Sequence, residues 1–234
     1  MITAPSIFGK LPAVGDFVRH NAPLAQVESW RSLFHNWEEA PSGKKAASSA
    51  ANHPADWLYL TPPSLAGYAR LRPAEPCYFI LRPRGVQFPS DNPYLIGVLA
   101  ASRDRVGRRY PLVAWQAVSA EWAARLLAAP AHWLTGLAQL IHEYACLPGR
   151  VDVASAVNDL WAVHRPGWRE RFSASFRRRS EAGPSDLAGP AEIRNDWPPT
   201  LLRAGSHGSV WQAGTGYAME IESAHAIRRI VAAL

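Results

Sequence analysis

The sequence predicts an α+β fold: a single, mainly antiparallel sheet covered by helices, an α/β/α-type sandwich. Three observations carry that prediction. The chain opens with an apolar pattern at helical spacing after a short strand. Its middle, from Trp57 to Val118, turns to closely spaced strand-like runs. Helical stripes and then a glycine-centred hairpin follow. Antiparallel strands flanked on both sides in sequence by helices pack as one covered sheet.

The elements follow in order. "SIFGKLP" reads as a short apolar strand stopped by Pro12, and Gly15-Asp16 as a turn that returns Phe17 and Val18 to the core. Pro23 to Glu39 reads as a helix: Asn21 offers a cap, Pro23 suits the first turn, and Val27, Trp30, Phe34 and Trp37 recur on one face. Ala40 to Ala55 is small, polar and proline-bounded, a surface connection. "CYFIL", "YLIGVLAAS" and "YPLVAWQAV" are three strands. The second is apolar enough to be central, and the short "RDRVGRR" joins the last two as an antiparallel hairpin. "AEWAARLLA" is a helix. Trp133, Leu134, Leu137, Leu140, Ile141 and Tyr144 mark another, ended by Pro148-Gly149, and Val153, Val157, Leu160 and Trp161 a third. "SVWQAGTGYAMEI" reads as a hairpin turning at Gly214-Thr215-Gly216, and Ser223 caps a last helix through Ala233. No repeat is visible. We read residues 1–234 as a single domain, with a motif-bearing sheet half over 1–118 and a helical, hairpin-helix half over 119–234.

Composition narrows the function classes. At 234 residues and 48% apolar, the chain can build a core without disulfides. Two cysteines, Cys77 and Cys146, form no framework and suggest reduced thiols in a cytoplasmic protein, leaving one disulfide between them open. The amino terminus lacks the basic-then-apolar layout of a signal peptide. The longest uncharged run, Leu126 to His142, is broken by Pro130, so it reads as a buried helix and not a membrane span. Most of the ten tryptophans should be core anchors.

No motif in the chain completes a set of residues for chemistry. "FGKLPAVGDFVRH" has a Gly-Lys pair, but a phosphate-binding loop needs glycine where Ala4 stands and a hydroxyl where Leu11 stands. His142 and Cys146 have zinc-like spacing on one helix, yet two ligands do not close a site. "AGSHG", Ala204 to Gly208, resembles a nucleophile elbow but precedes a strand instead of joining a strand to a helix. We therefore expect no catalytic residue, no metal and no cofactor.

A basic segment stands apart. Arg165, Arg169, Arg171, Arg177, Arg178 and Arg179 face only Glu170, so +5 of the chain's formal +6 lies there. Trp168, Phe172 and Phe176 recur every fourth residue, giving an aromatic stripe flanked by arginines. Such a helix could dock an acidic protein or phosphates, although charge runs are usually solvated faces. Arg177, Arg178 and Arg179 are the candidate partner contacts. No nucleic-acid-binding signature accompanies them, which argues against nucleic acid. Ser180 to Thr200 is rich in Pro, Gly and Ser and reads as loop.

Two blocks point further. "FGKLPAVGDFVRH" and, later, "YLIGVLAASRDRVGRRYPLVAW" resemble the paired signatures of the type VI secretion-associated TagF family: G-K-L-P-x-x-G-D-F, then a strand followed by D-R-V-G-R, an aromatic and P-L. Order and spacing both match, which is more specific than either block alone. The resemblance runs from Ser6 to Trp115 and more weakly to the carboxyl terminus. It implies a cytoplasmic, non-enzymatic accessory protein that post-translationally represses the contractile type VI apparatus. The implied partner is the system's forkhead-associated scaffold protein. Some relatives are fused to a PP2C-type phosphatase, for which this chain has no room. The alternative is a nucleic-acid or phosphoprotein binder working through the Arg165–Arg179 helix.

The motif residues are Gly9, Lys10, Pro12, Gly15, Asp16, Phe17, Asp104, Arg105, Gly107, Arg108, Tyr110 and Pro111. Gly9, Pro12, Gly15 and Gly107 are explained by backbone geometry, since glycine reaches positive φ and proline stops a strand. Tyr110 and Pro111 are expected to enter the strand. Asp16 is expected to pair with Arg105, Arg108 or Arg109 and so tie the first turn to the hairpin, unless these side chains contact the partner directly.

Overall fold

The computed structural model describes residues 2–34, 71–72, 75–128, 133–165, 206–213, 218–221, 226–227 and 230. Among the described residues seven strands are formed: β1 (Ser6–Lys10), β2 (Phe17–His20), β3 (Cys77–Leu81), β4 (Tyr94–Ala100), β5 (Leu112–Val118), β6 (Gly208–Gln212) and β7 (Ala218–Ile221). Four α-helices, α1 (Leu24–Phe34), α2 (Ala120–Ala128), α3 (Trp133–Cys146) and α4 (Val153–His164), and one 3-10 turn, Pro83–Val86, accompany them among the described residues. The strands make one open sheet in the order β2-β1-β5-β4-β3-β6-β7, every pair antiparallel. The fold is α+β, as the sequence predicts, and β4 is its middle strand.

Alternation along the strands builds two cores. Phe79, Leu81, Leu95, Leu99, Val113 and Trp115 point to one face, where Val27, Trp30, Leu33 and Phe34 of α1 cover them. Ile80, Ile96, Val98, Leu112 and Ala114 point to the other, under Trp122 of α2, Leu134, Leu137 and Ile141 of α3, and Val157 and Trp161 of α4. Burial on both faces is why β4 and β5 read as nearly unbroken apolar runs and not as alternating ones. The polar exception, Gln116 on β5, is satisfied: its Nε2 donates to the Thr3 carbonyl at 2.7 Å and its Oε1 accepts from Trp133 Nε1 at 2.7 Å. Both cysteines are free, Cys77 buried on β3 and Cys146 exposed at the end of α3. Burial pushes the Cys77 thiol up to about 12, so it is inert at neutral pH.

Several expectations need correction. Pro23, not Asn21, takes the cap position of α1: its carbonyl accepts from Gln26 and Val27, while Asn21 adopts φ 49 and its Nδ2 donates back to the Pro5 carbonyl at 3.3 Å. The expected strand start at Tyr110 moves to Leu112, because Tyr110 N–H is spent on the Ser102 carbonyl and Pro111 has none to give. The far end of the Pro23–Glu39 helix, the 40–55 connection, the 180–200 loop, the 214–216 turn and most of the last helix lie outside the described residues.

Candidate functional site

The two motif blocks meet at one end of the sheet. β1 runs through Gly9 into Lys10 beside the start of β5, with Phe8 opposite Val113. Gly9 takes φ 144, and a Cβ there would collide with the carbonyl of Pro111 and stand 2.7 Å from Leu112 Cα. Glycine is needed at this position because two backbones approach closely. Pro12 follows the end of β1, where Val14 N–H donates to the Leu11 carbonyl to close a turn.

Past that contact, Lys10 and Asp104 are both buried. Lys10 Nζ lies 3.4 Å from Asp104 Oδ2, and their side chains are 4% and 0% exposed. The ammonium also sits over the rings of Phe17, at 5.0 Å, and Tyr110, at 5.8 Å. Phe17 stacks on Phe8 and meets Tyr110 edge-on at 4.7 Å, so the lysine is roofed by aromatic surface. A buried charge is tolerated where it is paired and hydrogen-bonded.

Asp104 organises the β4–β5 loop. Its Oδ1 accepts from the backbone N–H groups of Val106 (3.0 Å) and Arg108 (2.9 Å), and its Oδ2 from Arg108 Nε at 2.6 Å. Gly107, at φ 90, donates its N–H to the Asp104 carbonyl and closes the turn. Arg108 then reaches across to the other motif: its Nη2 donates to the Gly15 carbonyl at 2.9 Å, and Arg105 N–H donates to the Val14 carbonyl at 3.0 Å. Burial alone would raise the Asp104 carboxyl. The hydrogen bonds from Arg108 and Lys10 and the lysine charge outweigh it and hold the group at about 2. Such a carboxylate is a structural anion, too acidic to take a proton from a substrate near neutral pH.

The expected tie between the motifs therefore exists, but through a different acid. Asp16 is exposed, and its Oδ1 accepts from the N–H of its own neighbour Phe17 at 2.7 Å. Asp104 makes the ion pairs, with Lys10 and with Arg108. Gly15 also departs from expectation: its φ is not in the positive range, and its role is to present a carbonyl to Arg108. Ser102 also belongs to the site, without any motif to mark it. Its buried hydroxyl faces the carbonyls of Lys10 (2.8 Å) and Ala145 (3.4 Å), joining the end of β1 and the last turn of α3 to the root of the loop. Those partners lie 92 and 43 positions away, so no local pattern could mark it.

The outward side of this end is cationic. Arg103, Arg105, Arg108 and Arg109 are exposed around Val106, itself 69% exposed, while the loop's acid, Asp104, is sealed inside. Elsewhere, His142 Nδ1 and Cys146 Sγ lie 3.7 Å apart, and among the described residues no group of three metal-ligating side chains forms. Gly208 opens β6, so the elbow-like segment leads into a strand. Arg177, Arg178 and Arg179, with the aromatic stripe before them, lie outside the described residues.

Comparison with known proteins gives three findings. The family model of the TagF N-terminal domain, type VI secretion system-associated, matches residues 6–156. No curated protein matches the chain. The crystal structure of PA0076 from Pseudomonas aeruginosa PAO1 is similar with a TM-score of 0.45 and 24% sequence identity, over 67% of this chain and 62% of that one.

Proposed function

The chain belongs to the TagF family of type VI secretion system-associated proteins, and from that premise we propose that it is a cytoplasmic, non-enzymatic repressor of the type VI apparatus that acts by binding the system's forkhead-associated scaffold protein. The observation that supports a binding role is how the motifs are used. Lys10 and Asp104 pair with each other inside the fold, out of reach of a substrate. What the motif end offers to the outside is mainly arginine, with one exposed acid, Asp16, beside it, and arginine is suited to recognition.

The test is a titration of the purified chain with the purified scaffold, paired with secretion assays in cells that overproduce the chain. Saturable binding and reduced secretion are expected. Absence of binding together with unchanged secretion would overturn the reading. Salt dependence separates it from polyanion binding, because nucleic-acid affinity falls with a log–log slope of roughly −0.7 to −0.9 per phosphate contacted.

A further inference from the structure

The β4–β5 loop and the α3–α4 connection leave the same end of the sheet, since Ser102 Oγ lies against the Ala145 carbonyl of the last α3 turn. The first carries Arg103, Arg105, Arg108 and Arg109 around the exposed Val106. The second begins with Leu147, also exposed. Two nearby carboxylates are in ion pairs and two others accept backbone hydrogen bonds. Asp104 is buried against Lys10 and Arg108, Asp16 accepts from Phe17 N–H, Glu143 pairs with Arg150 at 2.8 Å, and Asp152 caps α4 through Ser155 N–H. By formal charge the 103–109 segment carries four arginines against one aspartate, and that aspartate is buried.

The loop is also held in shape before any partner arrives. Three donors on Asp104 fix its turn, and Arg108 is pinned at Nε and Nη2 while its side chain stays 63% exposed. A fixed loop with guanidinium groups around an apolar tip loses little freedom on binding. Arginine is enriched at interface centres for this reason and for its planar, multiple donors.

We propose that the 103–109 loop, flanked by Leu147, is a preformed docking surface for the acidic face of a folded protein, with Val106 entering an apolar spot at its centre. The proposal rests on the scaffold-binding reading above and names the surface that carries it. Asp104 is then a positioning residue, acting through Arg108 and the turn. Charge complementarity selects the partner class: carboxylates meet the arginines, and the apolar tip favours a protein over a bare polyanion.

The test measures scaffold affinity and association rate at several salt concentrations for the parent, Arg105→Glu, Val106→Asp and, as a charge control on α2, Arg125→Glu. Arg105→Glu should lower affinity by about tenfold or more, chiefly through slower association with weaker salt dependence. Val106→Asp should lower it by a similar factor, and Arg125→Glu should leave it unchanged. Melting temperatures should match the parent, and Arg105→Ala provides a milder second variant should the glutamate disturb the loop. A parent that binds the scaffold together with loop variants that bind equally well would overturn the docking surface while leaving the repressor reading intact. Equal weakening by Arg125→Glu would reduce the effect to bulk charge and also overturn it. A parent that does not bind the scaffold removes both. Comparable binding of a short mixed-sequence DNA duplex, lost in the same variants, would make the loop a polyanion site and refute the protein partner.

Discussion

Lys10 and Asp104 are both withdrawn from water, so each depends on its partners for compensation. Removing one partner of a buried pair leaves the other charge uncompensated, which costs about 3–5 kcal/mol. Asp104→Asn should fall at the low end, since the amide oxygen can still accept from the loop N–H groups. Lys10→Met should cost less, because Asp104 keeps Arg108. Urea unfolding of both variants checks the order, and the reverse order would show that the lysine, not the acid, is the organiser. The pH dependence has a definite sign. The folded carboxyl is held at about 2, below its ordinary 3.8, so its contribution is fully present above that ordinary value and drains away as pH falls toward 2. Asp104→Asn should therefore flatten stability against pH in this acid window. The glycines differ in the same site. Gly9→Ala meets both a positive φ and a backbone collision, so several kcal/mol are expected, beyond the roughly 1–3 kcal/mol of backbone strain alone. Gly107→Ala meets the φ but open space, roughly 1–3 kcal/mol. Gly15→Ala meets neither and should stay within about 0.5 kcal/mol, with thermal melting as the measurement.

Within the two apolar cores, particular side chains tie the elements together. α1 covers its face of the sheet largely through Trp30, whose ring lies 5.2–5.6 Å from those of Phe34, Phe79, Phe88 and Trp115. Trp30→Ala should cost roughly 3–5 kcal/mol, the usual range for emptying an aromatic core site. On the opposite face, Ser102→Ala removes the hydroxyl joining the end of β1 to α3 and should cost about 1 kcal/mol. Asp152→Ala removes the side-chain cap of α4, again about 1 kcal/mol. Hydrogen exchange distinguishes these last two: the first should loosen amides at the end of β1 and in the 101–111 loop, the second those at the start of α4. A uniform loss of protection in either variant would mean that the elements open together instead of separately.

For the whole molecule, charge is the property to test. Six arginines between Arg165 and Arg179 carry most of the net excess, and replacing Arg177, Arg178 and Arg179 with Glu takes the formal charge from +6 to zero. If that segment steers an acidic partner, association with the scaffold should slow and lose salt dependence while melting is unchanged. Parent-like association would assign steering to the 103–109 loop alone. Measured beside the loop variants, the triple substitution apportions the electrostatics between the two basic regions of the chain.

The sequence by itself determined the α+β class, the antiparallel β4–β5 hairpin and the middle place of β4, because hydrophobic periodicity and turn residues are local signals that burial on both faces leaves readable. It also determined the family, since two blocks in fixed order are a pattern along the chain. Tertiary structure alone decided which acid works inside the fold. Asp16 and Asp104 both lie in turn-like segments with basic residues nearby in sequence, yet one lies in a solvent-facing turn and the other is closed over by Lys10, Phe17 and Tyr110. It likewise decided that Gly9 is required by a neighbouring backbone while Gly15 contributes only a backbone carbonyl that any residue could supply, and that Ser102 joins three elements. These are consequences of which strands become neighbours, and pairing between distant segments is set by the packing of the whole sheet, not by any residue's own neighbours in the chain.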